Sequence, residues 1–222
     1  MTYLINSIVK VTEKKASVTF DNGEALLLPI DVIFKFQLRK GDELNEETFQ
    51  SLLIESNKVR IMEASLRYLA LRMHSASELY TKLLKKKYDK ELIKSVLTQL
   101  QENSLLDDER FALQFTLECY FHRKYGKTKL IAMLKQRGIK PPIIDKALAS
   151  LGTPEEGEET PVQFVARKKI RQLKARQLPN SEIFKKTAAY LMQRGFNFGE
   201  IKSAINSILS DQPDESEEYP DF

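Results

Sequence analysis

From Lys58 onward, apolar side chains recur three and four positions apart, the spacing of helices that bury one face. That spacing itself repeats. Leu83, Tyr88, Ile93, Val96, Leu97 and Leu100 return 51 positions later as Leu134, Ile139, Ile144, Ala147, Leu148 and Leu151. They return again, 57 positions further on, as Leu191, Phe196, Ile201, Ala204, Ile205 and Ile208. Each copy reads as a helix, a break, one apolar residue and a second helix, with the break at Arg137-Gly138 and Arg194-Gly195 in the later copies. Glycine suits a helix end because a left-handed backbone costs it least. Lys87 stands there in the first copy, so that turn is expected to be either different or strained. Another helical stretch precedes each copy, at 58–71, 108–124 and 161–176. Self-similarity at this scale marks repeat architecture and predicts three three-helix units, nine helices in all. Asp107 or Asp108, and Thr160 with Pro161 at the first helical position, are suitable N-caps.

The first 57 residues follow another pattern. Ile5–Val11 is rich in β-formers, 16–20 (ASVTF) alternates, and Asn22-Gly23 is a hairpin signal before extended 24–29. Gly41-Asp42-Glu43 marks a second turn, and Asn45 looks like the cap of a short helix through about Ile54. The expected fold is mainly α: a tandem array of three three-helix repeats preceded by a small N-terminal antiparallel β element. The boundaries expected are a β-containing extension over 1–57 and repeats over 58–104, 105–151 and 161–210. An acidic linker at 152–160 and a disordered acidic tail at 211–222 complete the chain.

Composition narrows the function classes. Of 222 residues, 42% are apolar and 30% charged, the balance of a soluble helical protein. No apolar run approaches the ~20 residues of a membrane span. The start lacks a secretion signal, and the single cysteine, Cys119, excludes an intrachain disulfide, so a cytoplasmic, monomeric protein is expected. His74 and His122 stand far apart with no metal-ligand spacing around them, and no nucleotide-binding loop or nucleophile elbow is present. No enzyme activity and no cofactor or metal is expected.

Charge is more telling than its net value of +4. Residues 60–151 hold 18 basic and 10 acidic side chains, and residues 164–210 hold 10 and 2. Residues 152–163 carry four Glu and the tail from Asp211 six acids, neither with any base. Segregation of this kind is the footprint of a polyanionic partner. Six bases lie between Arg167 and Arg176; on a helix, Val162, Ala166, Ile170 and Leu173 form the buried stripe. Arg167, Arg171 and Lys174 then share one outward line, with Lys168 beside it. Lys82, Lys85, Lys86 and Lys87 form a second cluster, and Lys127, Lys129, Lys135, Arg137 and Lys140 a third. Recurrence at corresponding places predicts a basic band. The candidate nucleic-acid or filament contacts are Arg72, Lys82, Lys85, Lys86, Lys127, Lys129, Arg137, Arg167, Lys168, Arg171 and Lys174.

Other groups have simpler readings. Asp107-Asp108-Glu109 reads as a helix start complementing the dipole rather than a metal site. Cys119 falls in line with Phe111 and Phe115 and reads as a core thiol, with His122 a packed or edge residue on the same line. Tyr88, Ile139 and Phe196 share one repeat position and read as core rather than as stacking platforms.

Several of these segments resemble the RecX family. They are Leu71–Leu79 (LRMHSASEL) with Leu83, Leu105–Ala112 (LLDDERFA), Gly126 with Leu130, Leu134 and Arg137-Gly138-Ile139, and Leu191 with Arg194-Gly195-Phe196. The resemblance covers about 58–210, and the first 57 residues resemble an extension seen in some members. Lys87 in place of the usual glycine, and His74 where a basic residue is frequent, depart from the pattern. What the resemblance implies is a tandem three-helix-repeat regulator that binds RecA filaments on DNA and restrains their growth, ATPase and strand exchange. The alternative kept beside it is a stand-alone, sequence-nonspecific DNA-binding module.

Overall fold

The computed structural model describes residues 2–152 and 158–210. The tail from Asp211, expected to lack packed structure, and part of the acidic linker lie outside the described residues. The chain divides into two compact units, the first ending at Asp107 and the second beginning at Asp108.

The first unit opens with β1 (Thr2–Thr12), β2 (Lys15–Phe20) and β3 (Ala25–Pro29), followed by α1 (Ile30–Lys35) and β4 (Glu43–Asn45). They form one antiparallel sheet in the order β3-β2-β1-β4. Strict alternation in β2 turns Ala16, Val18 and Phe20 inward. Gly23 takes φ +82 in the hairpin turn beside Asn22, as expected from the dipeptide. The sheet core is closed by Phe49 and Leu52, with the Tyr3 ring stacked on Phe49 at 3.8 Å.

Asn45 does cap a helix, accepting a hydrogen bond from the Thr48 amide at 2.8 Å. That helix, α2, runs from Glu46 to Leu71 without a break, which corrects the expected short helix ending near Ile54. Glu55–Lys58 contains no Gly or Pro to stop it, so the helix passes straight through 57/58, where the extension was expected to end. Its second half builds the first repeat with α3 (Ala76–Lys85) and α4 (Lys90–Glu102), burying Ile61, Leu79, Leu83, Ile93, Val96 and Leu100.

The second unit holds two further repeats. α5 (Asp108–Leu117) passes through a π-helical turn (Glu118–His122) into α6 (Lys127–Gln136) and α7 (Pro141–Ala149). Repeat three is α8 (Pro161–Lys174), α9 (Asn180–Gln193) and α10 (Phe198–Ser210). Ile139, Ile144 and Ala147 are buried in one, and Leu191, Phe196, Ile201, Ala204 and Ile205 in the other, as the periodicity requires; Tyr88 is half-buried.

The break after the middle helix is the same turn three times. Lys87, Gly138 and Gly195 all have positive φ, at +62, +73 and +86. Each donates its N–H to the carbonyl three residues back, at 2.9 Å in every copy. Lys87 therefore adopts the glycine geometry and bears its strain.

Candidate nucleic-acid interface

α8 begins with a full capping box. The Thr160 hydroxyl accepts from the Gln163 amide, the Gln163 side chain accepts from the Thr160 amide, and Pro161 occupies the first turn. Val162, Ala166, Ile170 and Leu173 are buried as expected, together with Pro161 and Val165. At about 100° per residue, this stripe leaves two polar flanks. One carries Arg167, Arg171 and Lys174; the other carries Phe164, Lys168 and Gln172, while half-buried Lys169 falls within the apolar arc between Val165 and Val162. Arg167, Lys168 and Arg171 are exposed and Lys174 half-buried. Arg167 pairs with Glu159 at 3.2 Å, so the acidic linker reaches the first of these cations. Among the described residues, Lys168, Lys169 and Arg171 have no ion-pair partner.

The second flank borders a cleft of about 310 Å3 against the end of the π turn. Its lining holds His122, Arg123, Lys124, Phe164, Lys168, Lys169, Gln172, Tyr190 and Arg194 and, among the described residues, no carboxylate. Phe164 is 45% exposed, with the Lys124 ammonium over its ring at 5.2 Å. Lys169 lies 5.2 Å from the Tyr190 ring, and Arg123 pairs with Glu118 at 2.7 Å. His122 is exposed here rather than packed. In the π turn each residue advances by less than the ~100° of an α-helix, so the α-helical register from Cys119 to His122 no longer holds. Sequence reading passed over Phe164; its place on the polar flank, four residues before Lys168, was the available signal.

One wall of the cleft is a joint between repeats two and three. The first turn of α6 is capped by the end of α9: the Gly126 amide donates to Arg194 O at 2.8 Å and the Thr128 amide to Gly195 O at 3.1 Å. A Cβ on Gly126 would sit 2.1 Å from Gly195 O, and one on Gly195 would sit 2.4 Å from Lys129 Cβ. The Arg194 guanidinium donates to Lys124 O (3.2 Å) and Arg123 O, and it stacks over Tyr125 at 4.9 Å. Arg194 thus holds the carbonyls left open where the π turn ends.

The remaining candidates are placed as follows. Lys127 and Lys129 lie in the first turn of α6, Lys129 over Tyr125 at 4.2 Å, while Arg137 caps its other end. The ten-residue helix separates them by about 15 Å, so the third expected cluster is two groups. Arg137 donates to Met133 O at 2.9 Å and stacks on Phe115 at 4.4 Å. In the first unit, Lys85 and Lys86 are exposed at the end of α3, and Lys82 lies over Tyr68 at 4.7 Å. Arg72 pairs with Glu78 at 3.1 Å.

Little here resembles a reactive centre. Burial pushes the Cys119 thiol pKa up and keeps it protonated, a core group among Leu130, Leu151 and Phe115. Glu109, at the start of α5, pairs with Lys146 at 2.5 Å. Among the described residues no group of three or more His, Cys, Asp or Glu is placed to hold a metal ion. No described helix is long and apolar enough to cross a membrane.

Three family models match in succession: the first three-helix domain of RecX over residues 62–100, the second over 107–148 and the third over 162–205. A regulatory protein RecX from Clostridium tetani is 25% identical over 210 residues, 92% of this chain and 95% of that protein. One from Chlorobaculum tepidum is 34% identical over 164 residues, 74% of this chain and 98% of that protein. A crystal structure described as regulatory protein RecX superimposes with a TM-score of 0.73 over 92% of this chain and 99% of its own, at 24% identity.

Proposed function

The chain belongs to the RecX family, and from that premise we propose that it regulates RecA by binding RecA–DNA filaments and restraining their growth, ATPase and strand exchange. The observation that carries this reading is α8, whose two polar flanks present exposed Arg167, Lys168 and Arg171, of which, among the described residues, Arg167 alone has a partner acid. Solvated helix faces commonly mix both signs; a face with one sign gains stability from an anionic partner. The exposed cations of α3 and α6 extend the same chemistry to the other two repeats. Protein binding along the filament lays these cations against DNA phosphate and acidic protein surface, obstructing addition of the next RecA protomer. No chemical step is required, and the action is that of a cytoplasmic regulator rather than an enzyme. The exposed cations also favour a second reading, a sequence-nonspecific DNA-binding module acting on bare DNA.

Filament length separates the two. RecA is assembled on circular single-stranded DNA and measured by electron microscopy with and without the protein, added well below the RecA concentration. Shortened or gapped filaments support regulation at the filament. Full-length filaments, altered only when the protein is abundant enough to coat the DNA, favour the second reading.

A further inference from the structure

We propose that the cleft between the π turn and α8 is a subsite for one unpaired nucleotide of a single strand, its phosphate held by Lys168, Lys169 and Lys124 and its base against Phe164. The proposal rests on the nucleic-acid reading above and adds to it which form of nucleic acid enters and where.

Three observations converge. The first is size: about 310 Å3 lies at the lower end of the range for small-ligand sites. A recess of that volume admits a single flexible strand locally, whereas the convex backbone of a duplex reaches only its rim. The second is charge. Among the described residues, five cationic side chains and no carboxylate line the cleft, and neither Lys168 nor Lys169 is neutralised by an ion pair. The third is Phe164. A 45%-exposed phenylalanine on a helix flank beside Arg171 and Lys168 loses free energy by facing water unless something covers it. It stands outside the buried cluster that holds repeat three together, so that core does not account for an aromatic ring there. Bases in a duplex are already stacked; unpaired bases supply the missing partner, and an aromatic platform beside cations is how single strands are commonly gripped without sequence preference. Arg194 and Tyr190 complete the recess as fixed walls, since the guanidinium is engaged by Arg123 O and Lys124 O and donates to the Tyr190 hydroxyl at 3.3 Å.

The same cations would also attract an acidic peptide, which has no use for an aromatic face. The test turns on that difference. The chain contains no tryptophan, so Phe164→Trp places a lone indole reporter at the site. Its fluorescence should be quenched on titration with oligo(dT), and far less by the matching duplex or by polyglutamate at equal charge. In parallel, Phe164→Leu in the full chain should weaken oligo(dT) binding at least about fivefold, from the lost stacking. Duplex binding should stay within about twofold, and circular dichroism should match the parent. Lys168→Gln with Lys169→Gln should weaken oligo(dT) binding and flatten its dependence on salt. Unchanged oligo(dT) affinity in Phe164→Leu, or quenching by polyglutamate equal to that by oligo(dT), overturns the subsite. Either result leaves filament shortening by the parent protein intact, so the two readings fail separately.

Discussion

Lys87 shows at the scale of one residue how the repeat imposes its geometry. Its φ of +62 is the glycine conformation of Gly138 and Gly195, and its side chain is exposed. A non-glycine residue there costs about 1–2 kcal/mol. Lys87→Gly should therefore stabilise the protein by about 1 kcal/mol after the entropy gained by the unfolded chain is subtracted, read as a higher denaturation midpoint in urea. Gly126→Ala should do the opposite, because its Cβ would meet the Gly195 carbonyl and backbone cannot step aside cheaply. A loss of about 1–3 kcal/mol is expected from such overpacking. His74 supplies a pH dependence. It is buried, Nδ1–H donates to Arg72 O at 2.9 Å, and Nε2 has no hydrogen-bond partner among the described residues. Burial lowers its pKa below the ordinary 6.5; the hydrogen bond to Arg72 O opposes this, the Arg72 and Lys82 charges add to it, and the Glu78 carboxylate opposes it weakly. The unfolded chain then binds the proton more readily, so this contribution is present above pH 6.5 and is lost as pH falls through the lowered folded value. The imidazole signals of His74 in NMR should titrate below the ordinary 6.5. The significance of Lys87 was legible in the sequence, because its two counterparts are glycines. Gly126 was visible only as a residue type: its reason is a backbone contact with a segment some 70 positions away.

At the scale of elements, hydrophobic period carried most of the information. All three repeats, the Thr160 cap and the Asn22-Gly23 hairpin follow from local pattern and turn chemistry. What local pattern does not encode is continuity and long-range pairing. α2 was divided in reading because the polar stretch Glu55–Lys58 looks like a boundary, yet it contains no helix breaker. β4 is three residues long and exists through pairing with Thr2–Leu4, across forty positions of chain. The π turn has no signal in the local pattern either, and it takes His122 off the line of Phe111, Phe115 and Cys119 and into the cleft. α8 is the element on which function is most directly tested. Replacing Arg167, Arg171 and Lys174 together by Ala should retain helicity, since Ala is the best helix former, and keep the thermal transition near that of the parent. Inhibition of RecA ATPase by this variant should fall several-fold. Inhibition equal to the parent's would move the contact to other faces.

For the whole molecule, charge segregation was readable from the sequence, and the structure adds which cations stay exposed and which are engaged by rings or carbonyls. Arg137 and Arg194 belong largely to the second group, whereas Lys85, Lys168 and Arg171 belong to the first. Affinity for DNA should accordingly depend little on sequence and strongly on salt. Each phosphate contact released contributes about 0.9 to the slope of log affinity against log salt on duplex DNA. A fluorescence-anisotropy series from low to physiological salt should show that steep fall on oligonucleotides of unrelated sequence. The central claim, regulation at the filament, is tested most directly by RecA ATPase on saturating single-stranded DNA while this protein is titrated from far below the RecA concentration. The account predicts strong inhibition while RecA remains in large excess, because blocking addition at a few positions restrains many protomers. Inhibition that appears only when the protein is abundant enough to cover the DNA would contradict it.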